Sequence, residues 1–432
     1  MTNRLVLSVA IPMTLAYLTT PMIGVVDTGV VGRLGDPVVL GGLAAGALVF
    51  DVVFSTFNSL RSGTTGLVAQ AHGRGDAGEE QAVVLRSLLA AVSIGLILVL
   101  LTSPIAALGA WFVNPEPGVA QSMRRYIDIR MLAAPLTLIN YSILGYVLGR
   151  GEGVLGLLFQ FLLNGINIVV SIWLGLGLAW GLEGVAWGTV VGELAAALVG
   201  LAVLLHRFAG RERIKLDRVF DAAGVVRMLA LNRDIMIRSF SLLAAFALFT
   251  RHGAQLGTAT LAANAILMNF FLVTGYFLDG FATAAEQLAG RAIGARYEPA
   301  FRRSVWLTSV WGFALAGVAT IVLLAFGDAF IRLLTTSPEV RDIAIAFLPW
   351  AALTALSGVL AFQMDGVFIG ATWSRDMRNM MLLSLAVFAL WLFTAASAFG
   401  NAGLWIALHI FLIARGLSLL AILPRRARKT FA

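Results

Sequence analysis

The chemistry open to this chain rests on a few charged and amide side chains set inside long apolar runs. Asp27 comes first, after 22 uncharged residues from Leu5 to Val26. A carboxyl in such surroundings can take up and release a proton, or hold a cation. An ionisable group in a membrane helix costs roughly 2.5–3.5 kcal/mol, so it normally faces a cavity or a partner. On a long tilted helix it can instead reach the headgroups, and both readings are open for Asp27. Asn164, Asn167 and Ser171 follow at helical spacing and share one face; Asn164 reads as glue between helices. Thr189 and Glu193 are one turn apart, and an acid at Glu193 needs water or a partner. Arg61, nine residues before Gln70, is too deep to snorkel easily. It is expected to face a cleft and to pair with Asp279, Glu286 or Asp365. Asp279 and Glu286 are seven residues apart and lie on one face, expected to line that cleft. Asp234 and Arg238, at i and i+4, read as a structural ion pair.

Other chemistries lack their residues. His72, His206, His252 and His409 are scattered without ligand spacing, and there is no cysteine. No metal, cofactor or nucleophilic centre is therefore expected, and the chain reads as no enzyme. The sequence has no phosphate-binding Gly-Lys-Ser/Thr loop to couple it to ATP. Gly149-Arg150-Gly151-Glu152-Gly153 is glycine-rich, but reads as a short turn between spans.

The elements that must position these groups are membrane helices. With 59% hydrophobic and 12% charged residues, the 432-residue chain is no ordinary soluble domain. A helix of about 20 residues crosses the hydrocarbon core. Apolar runs give twelve spans near 5–31, 40–72, 83–113, 125–148, 153–178, 184–206, 224–251, 260–290, 303–334, 340–370, 377–398 and 402–423. The net charge of +8 is dispersed over loops, which fits topology and not nucleic acid. Its bias puts both termini in the cytoplasm, as an even number of spans requires. A basic connection over 207–222, with Arg207, Arg211, Arg213, Lys215 and Arg218, separates an amino-terminal lobe (1–206) from a carboxyl-terminal lobe (223–432). The halves repeat: Leu43-Ala44-Ala45-Gly46-Ala47 matches Leu261-Ala262-Ala263-Asn264-Ala265, and Gln70-Ala71-His72-Gly73-Arg74 matches Gln287-Leu288-Ala289-Gly290-Arg291. Six spans separate the copies, so the repeat is parallel. The expected fold class is an all-α integral membrane protein, twelve transmembrane helices in two parallel-repeat six-helix lobes around a central cleft.

With Val26-Asp27-Thr28-Gly29-Val30-Val31-Gly32-Arg33-Leu34-Gly35 and the paired Gly-Arg segments, the whole chain resembles the multidrug and toxic compound extrusion (MATE) transporters. Leu60-Arg61-Ser62-Gly63-Thr64-Thr65-Gly66, Leu278-Asp279-Gly280-Phe281-Ala282 and Gln363-Met364-Asp365-Gly366 resemble its DinF branch. The resemblance implies an ion site in the amino-terminal lobe. Asp27 matches the first-helix acid, Pro12 the proline about which that helix bends, Asn167 the start of an Asn-x-x-x-Asp pattern, and Thr189 the sixth-helix threonine. The second position of that pattern is Ser171, so one usual acid is missing. Glu193 is the candidate replacement.

The function so implied is export of small amphipathic, cationic organic compounds across the inner (plasma) membrane, against an inward-moving ion. A proton is the expected ion and sodium the alternative, with Asp27 as the protonation site. Met268, Phe271 and Tyr276 are candidates for loose apolar contact with substrate, or for ordinary packing within the lobe. A monomer is expected. The competing readings are a lipid-linked precursor flippase, which calls for a more cationic cleft, and an intramembrane enzyme.

Overall fold

The computed structural model describes residues 1–210 and 216–432; Arg211, Arg213 and Lys215 of the expected basic connection lie outside the described residues. Among the described residues sixteen α-helices follow one another: α1 (Asn3–Gly32), α2 (Pro37–Phe57), α3 (Ser59–Arg74), α4 (Ala77–Leu100), α5 (Thr102–Val113), α6 (Pro117–Met131), α7 (Ala134–Gly149), α8 (Gly153–Ile172), α9 (Gly181–Ala209), α10 (Leu216–Val219), α11 (Ala222–Gln255), α12 (Thr258–Gly294), α13 (Glu298–Leu334), α14 (Pro338–Gly370), α15 (Ser374–Thr394) and α16 (Gly400–Phe431). Among the described residues there is no strand. In hydrocarbon every backbone N–H and C=O must be satisfied within the segment, which leaves the helix as the form these apolar runs take. Among the described residues eleven helical stretches are long and apolar enough to cross a membrane, and twelve when α6 and α7 count as one span bent by 53°. The chain is thus an all-α, multi-pass membrane protein. Large apolar side chains face outward along it, such as Leu100 and Leu333 at 82% and 83% exposed, as lipid-facing surfaces require.

Two compact units divide the described residues: Leu15–Asn232, and Met1–Thr14 together with Arg233–Ala432. The first unit runs past the expected 206 because α10 and the start of α11 are pinned to it. Arg86 of α4 donates to the carbonyls of Val219 (2.9 Å) and Arg218 (2.6 Å), Arg218 pairs with Asp76 (2.6 Å), and Arg227 donates to Gln70 (2.7 Å). The same unit closes one helix end with an ionic cluster. Glu80 takes His72 (2.7 Å) and Arg150 (2.9 Å), while Glu152 takes Arg150 (3.0 Å) and Arg207 (2.6 Å).

The second unit includes the start of α1, where Val6, Val9 and Ala10 pack on Phe281, Ala284 and Leu288. Helix α1 is continuous through Pro12 and Pro21, and its contacts pass from one unit to the other after Thr14. The core of the second unit is aromatic, with Phe249, Phe271, Phe388, Trp405 and Phe411 buried together.

Candidate ion-coupling site

Helices α8 and α9 touch backbone to backbone because α9 carries Gly184, Gly188 and Gly192 one turn apart. A Cβ on Gly188 would lie 2.6 Å from the backbone nitrogen of Ser171, and one on Gly192 would lie 2.8 Å from the carbonyl oxygen of Leu163. Small residues at such spacing let membrane helices approach closely. That approach brings Asn167 and Ser171 against Thr189. Asn167 donates to the Thr189 hydroxyl (3.1 Å), and the Ser171 hydroxyl donates to the Asn167 carbonyl oxygen (3.1 Å). All three are buried, as is Asp27 on α1. Ser171 is within hydrogen-bonding reach of the Asp27 carboxyl. Asp27 Oδ1 is buried without a hydrogen bond among the described residues. Asp27 thus faces protein. Its half of α1 is seated by Val30 and Val31, which pack with Leu43, Tyr126, Leu182 and Val185.

The other expected site residues are distributed differently. Glu193 is buried but turned to α7, where Asn140 donates to its carboxylate (2.6 Å) and to its own carbonyl (2.9 Å). Asn164 donates to Thr19 Oγ1 of α1 (2.5 Å), a helix-to-helix contact as expected of it. Arg61 on α3 donates to Asn58 (2.9 Å) and Ser62 (3.0 Å), with the Tyr17 ring 6.0 Å away. In the second unit Asp365 of α14 is buried and engaged by two arginines, Arg238 of α11 and Arg415 of α16. This corrects the expected Asp234–Arg238 pair. Asp234 is instead held by Arg378 (2.8 Å), Arg233 (3.1 Å) and Ser374 (2.9 Å). A buried carboxylate in reach of two guanidinium groups outcompetes a neighbour on the same helix, whose pairing is worth only about 0.2–0.5 kcal/mol. On α12, Glu286 is buried and Asp279 half-buried. Met268 and Tyr276 are half-buried too, while Phe271 lies in the core edge-to-face on Phe246 (5.6 Å).

The MatE family model matches residues 12–173 and 235–393, about three-quarters of the chain. The chain belongs to the MatE family of membrane transporters. It is 38% identical over 427 residues to the DNA damage-inducible protein F of Escherichia coli (strain K12), covering 97% of this chain and 91% of that protein. It is 25% identical over 456 residues to the multidrug resistance protein PmpM of Pseudomonas aeruginosa, covering 98% of this chain and 91% of that protein. Among solved structures, a MOP superfamily transporter from Pyrococcus furiosus superposes with a TM-score of 0.89 at 16% identity, over 100% of this chain and 97% of that one. At that identity the likeness speaks for the fold.

Three charges of this MatE chain escaped the sequence reading. Arg130 ends α6 at the bend, where it donates to the Tyr126 hydroxyl (2.7 Å). Its signal was a charge inside the fourth apolar run, five residues before Pro135, a residue that favours a helix start. Arg415 is fully buried, and the signal was a lone charge in the last run. Asp51 lies at an exposed position of α2.

Proposed function

We propose that this MatE protein is a secondary antiporter of the inner membrane, both termini in the cytoplasm, exporting small amphipathic organic cations in exchange for inward-moving protons. One observation carries the reading: Asp27 is the acid of a buried cluster whose other members, Asn167, Ser171 and Thr189, are neutral. A sodium site calls for several hard oxygen ligands, commonly more than one carboxylate, whereas a proton needs a single acid. The serine in place of the second acid favours the proton. The printed name of PmpM, a multidrug resistance protein, supports drug-like substrates.

In the proposed cycle Asp27 binds a proton from outside, loses its charge and lets α1 repack. Helix α1 suits this role, since its residues up to Thr14 belong to one unit and those from Leu15 onward to the other. Pro12, which leaves the Ser8 carbonyl without its helical donor, is the natural place for it to yield. The repeated family match supports the two halves as six-helix lobes that alternate in access. Asp279 and Glu286 are the acids proposed to meet a cationic substrate, with Met268 and Tyr276 as apolar contacts. Asp365 is not among them, because two arginines hold it.

The test is accumulation of a fluorescent cationic dye in cells expressing the protein. Lower accumulation that is abolished by collapsing the proton gradient is expected; accumulation equal to that of empty cells refutes export.

A further inference from the structure

The apolar run of α16 ends at Leu423, but the helix continues to Phe431 through Pro424-Arg425-Arg426-Ala427-Arg428-Lys429. This extension is seated on the second unit. The Phe431 ring lies 5.5 Å from that of Phe301 on α13, Arg426 pairs with Asp376 of α15 (2.6 Å), and Ala427 is buried. Arg425, Arg428 and Lys429, at i, i+3 and i+4, share the opposite face of the helix and are exposed. Helix α13 adds to the same end. Its Arg303 is exposed over the Trp306 ring (5.0 Å), and Trp306 is itself 55% exposed. Trp306 is five residues, about 7.5 Å, further along the helix than Phe301. An exposed tryptophan just inside a ring of cations marks the boundary between lipid headgroups and acyl chains.

The acids at this end are already matched. Asp376 takes Arg426, Glu298 takes Arg302 (2.7 Å), and Asp234 takes Arg378 (2.8 Å). Among the described residues Arg303, Arg425, Arg428 and Lys429 pair with no acid; Arg428 donates only to the Pro424 carbonyl of its own helix (3.4 Å). Four exposed cations held at the end of a lipid-embedded bundle therefore have their counter-charge outside the chain. The anion found at that level of a bilayer is the headgroup phosphate, and basic clusters next to a span recognise it.

We propose that this end of the second unit is a binding surface for anionic phospholipid. Arg303, Arg425, Arg428 and Lys429 meet the headgroup phosphates, and Trp306 rests against the first carbons of the chains. The proposal goes beyond the antiport reading and does not depend on it. The full chain is purified in an uncharged detergent and titrated at low salt with short-chain phosphatidylglycerol, phosphatidylcholine or inorganic phosphate. The readout is the rise in thermal midpoint. Each lysine or arginine near an anionic surface is worth about fivefold in affinity. Wild type is expected to respond to phosphatidylglycerol at concentrations about tenfold below those of phosphatidylcholine, and less so as salt rises. Arg425→Gln/Arg428→Gln/Lys429→Gln is expected to need on the order of 100-fold more phosphatidylglycerol, about fivefold per charge removed. Phe431→Ala keeps every charge but unseats the basic turn; it is expected to show an intermediate loss, and carries the test should the triple variant fail to insert. Arg33→Gln/Arg251→Gln, which removes two exposed arginines elsewhere, is expected to match wild type.

Wild-type half-saturation by phosphatidylglycerol in both the triple variant and Phe431→Ala overturns the proposal, as does an equal response of wild type to the two lipids. Inorganic phosphate that matches phosphatidylglycerol overturns it too, because the surface then takes a free anion and not a lipid.

Discussion

Gly188→Ala tests whether the close approach of α8 and α9 builds the coupling site. The added Cβ would lie 2.2 Å from Ser171 Oγ and 2.6 Å from the Ser171 backbone nitrogen. The hydroxyl can rotate away; the backbone nitrogen cannot. Restoring ordinary contact at about 3.4 Å means separating the helices by roughly 0.8 Å. A bond of 3.1 Å from Asn167 to Thr189 then stretches beyond the range of a hydrogen bond. Overpacking of this kind costs about 1–3 kcal/mol, and the lost bond about 0.6 kcal/mol more in a membrane bundle. The expected outcome is a lower thermal midpoint in detergent and efflux that responds weakly to a pH gradient, with dye binding kept. Gly165→Ala is the control, because a Cβ there meets nothing within 4 Å. Wild-type stability and coupling in Gly188→Ala would refute the reasoning, as would equal damage in Gly165→Ala.

Asp365→Asn should destabilise the second unit by about 3–5 kcal/mol, since it leaves the buried Arg415 and the half-buried Arg238 without their carboxylate. Arg415→Met should cost much less, because Asp365 keeps Arg238; chemical unfolding of the two variants checks the order. Glu152 lies in the turn before α8, outside the spans. Burial alone would push its carboxyl up, but hydrogen bonds from Arg207 and Arg150 outweigh that and hold it below its ordinary 4.5. A lowered value contributes stability that is present above pH 4.5 and lost as pH falls through the folded value. Thermal midpoints measured from pH 6 to pH 3 should therefore fall less steeply in Glu152→Gln than in wild type.

The spans were legible because hydrocarbon leaves an apolar run little choice but a helix, and charged or Gly/Pro punctuation marks its ends. The break at Leu132–Ala133 was not, because α6 and α7 together still read as one run; Pro135 was the local sign. Asn167, Ser171 and Thr189 were found by spacing and resemblance, and the glycine stripe that seats them was overlooked. Spacing on one helix cannot reveal tertiary partners. Hence Asp234 and Arg238 looked like a pair, although each is claimed by another helix, and Arg130 and Arg415 went unremarked. Glu193 read as an acid in need of water or a partner, but its spacing could not show that the partner is Asn140.

Efflux from proteoliposomes, driven first by an imposed pH gradient and then by an imposed sodium gradient, tests the role of Asp27 most directly. Wild-type protein should export dye under the pH gradient alone. Asp27→Asn should insert and bind dye yet show no pH-driven export. Export driven by sodium alone, or undiminished pH-driven export in Asp27→Asn, would contradict the proton-coupled role of Asp27.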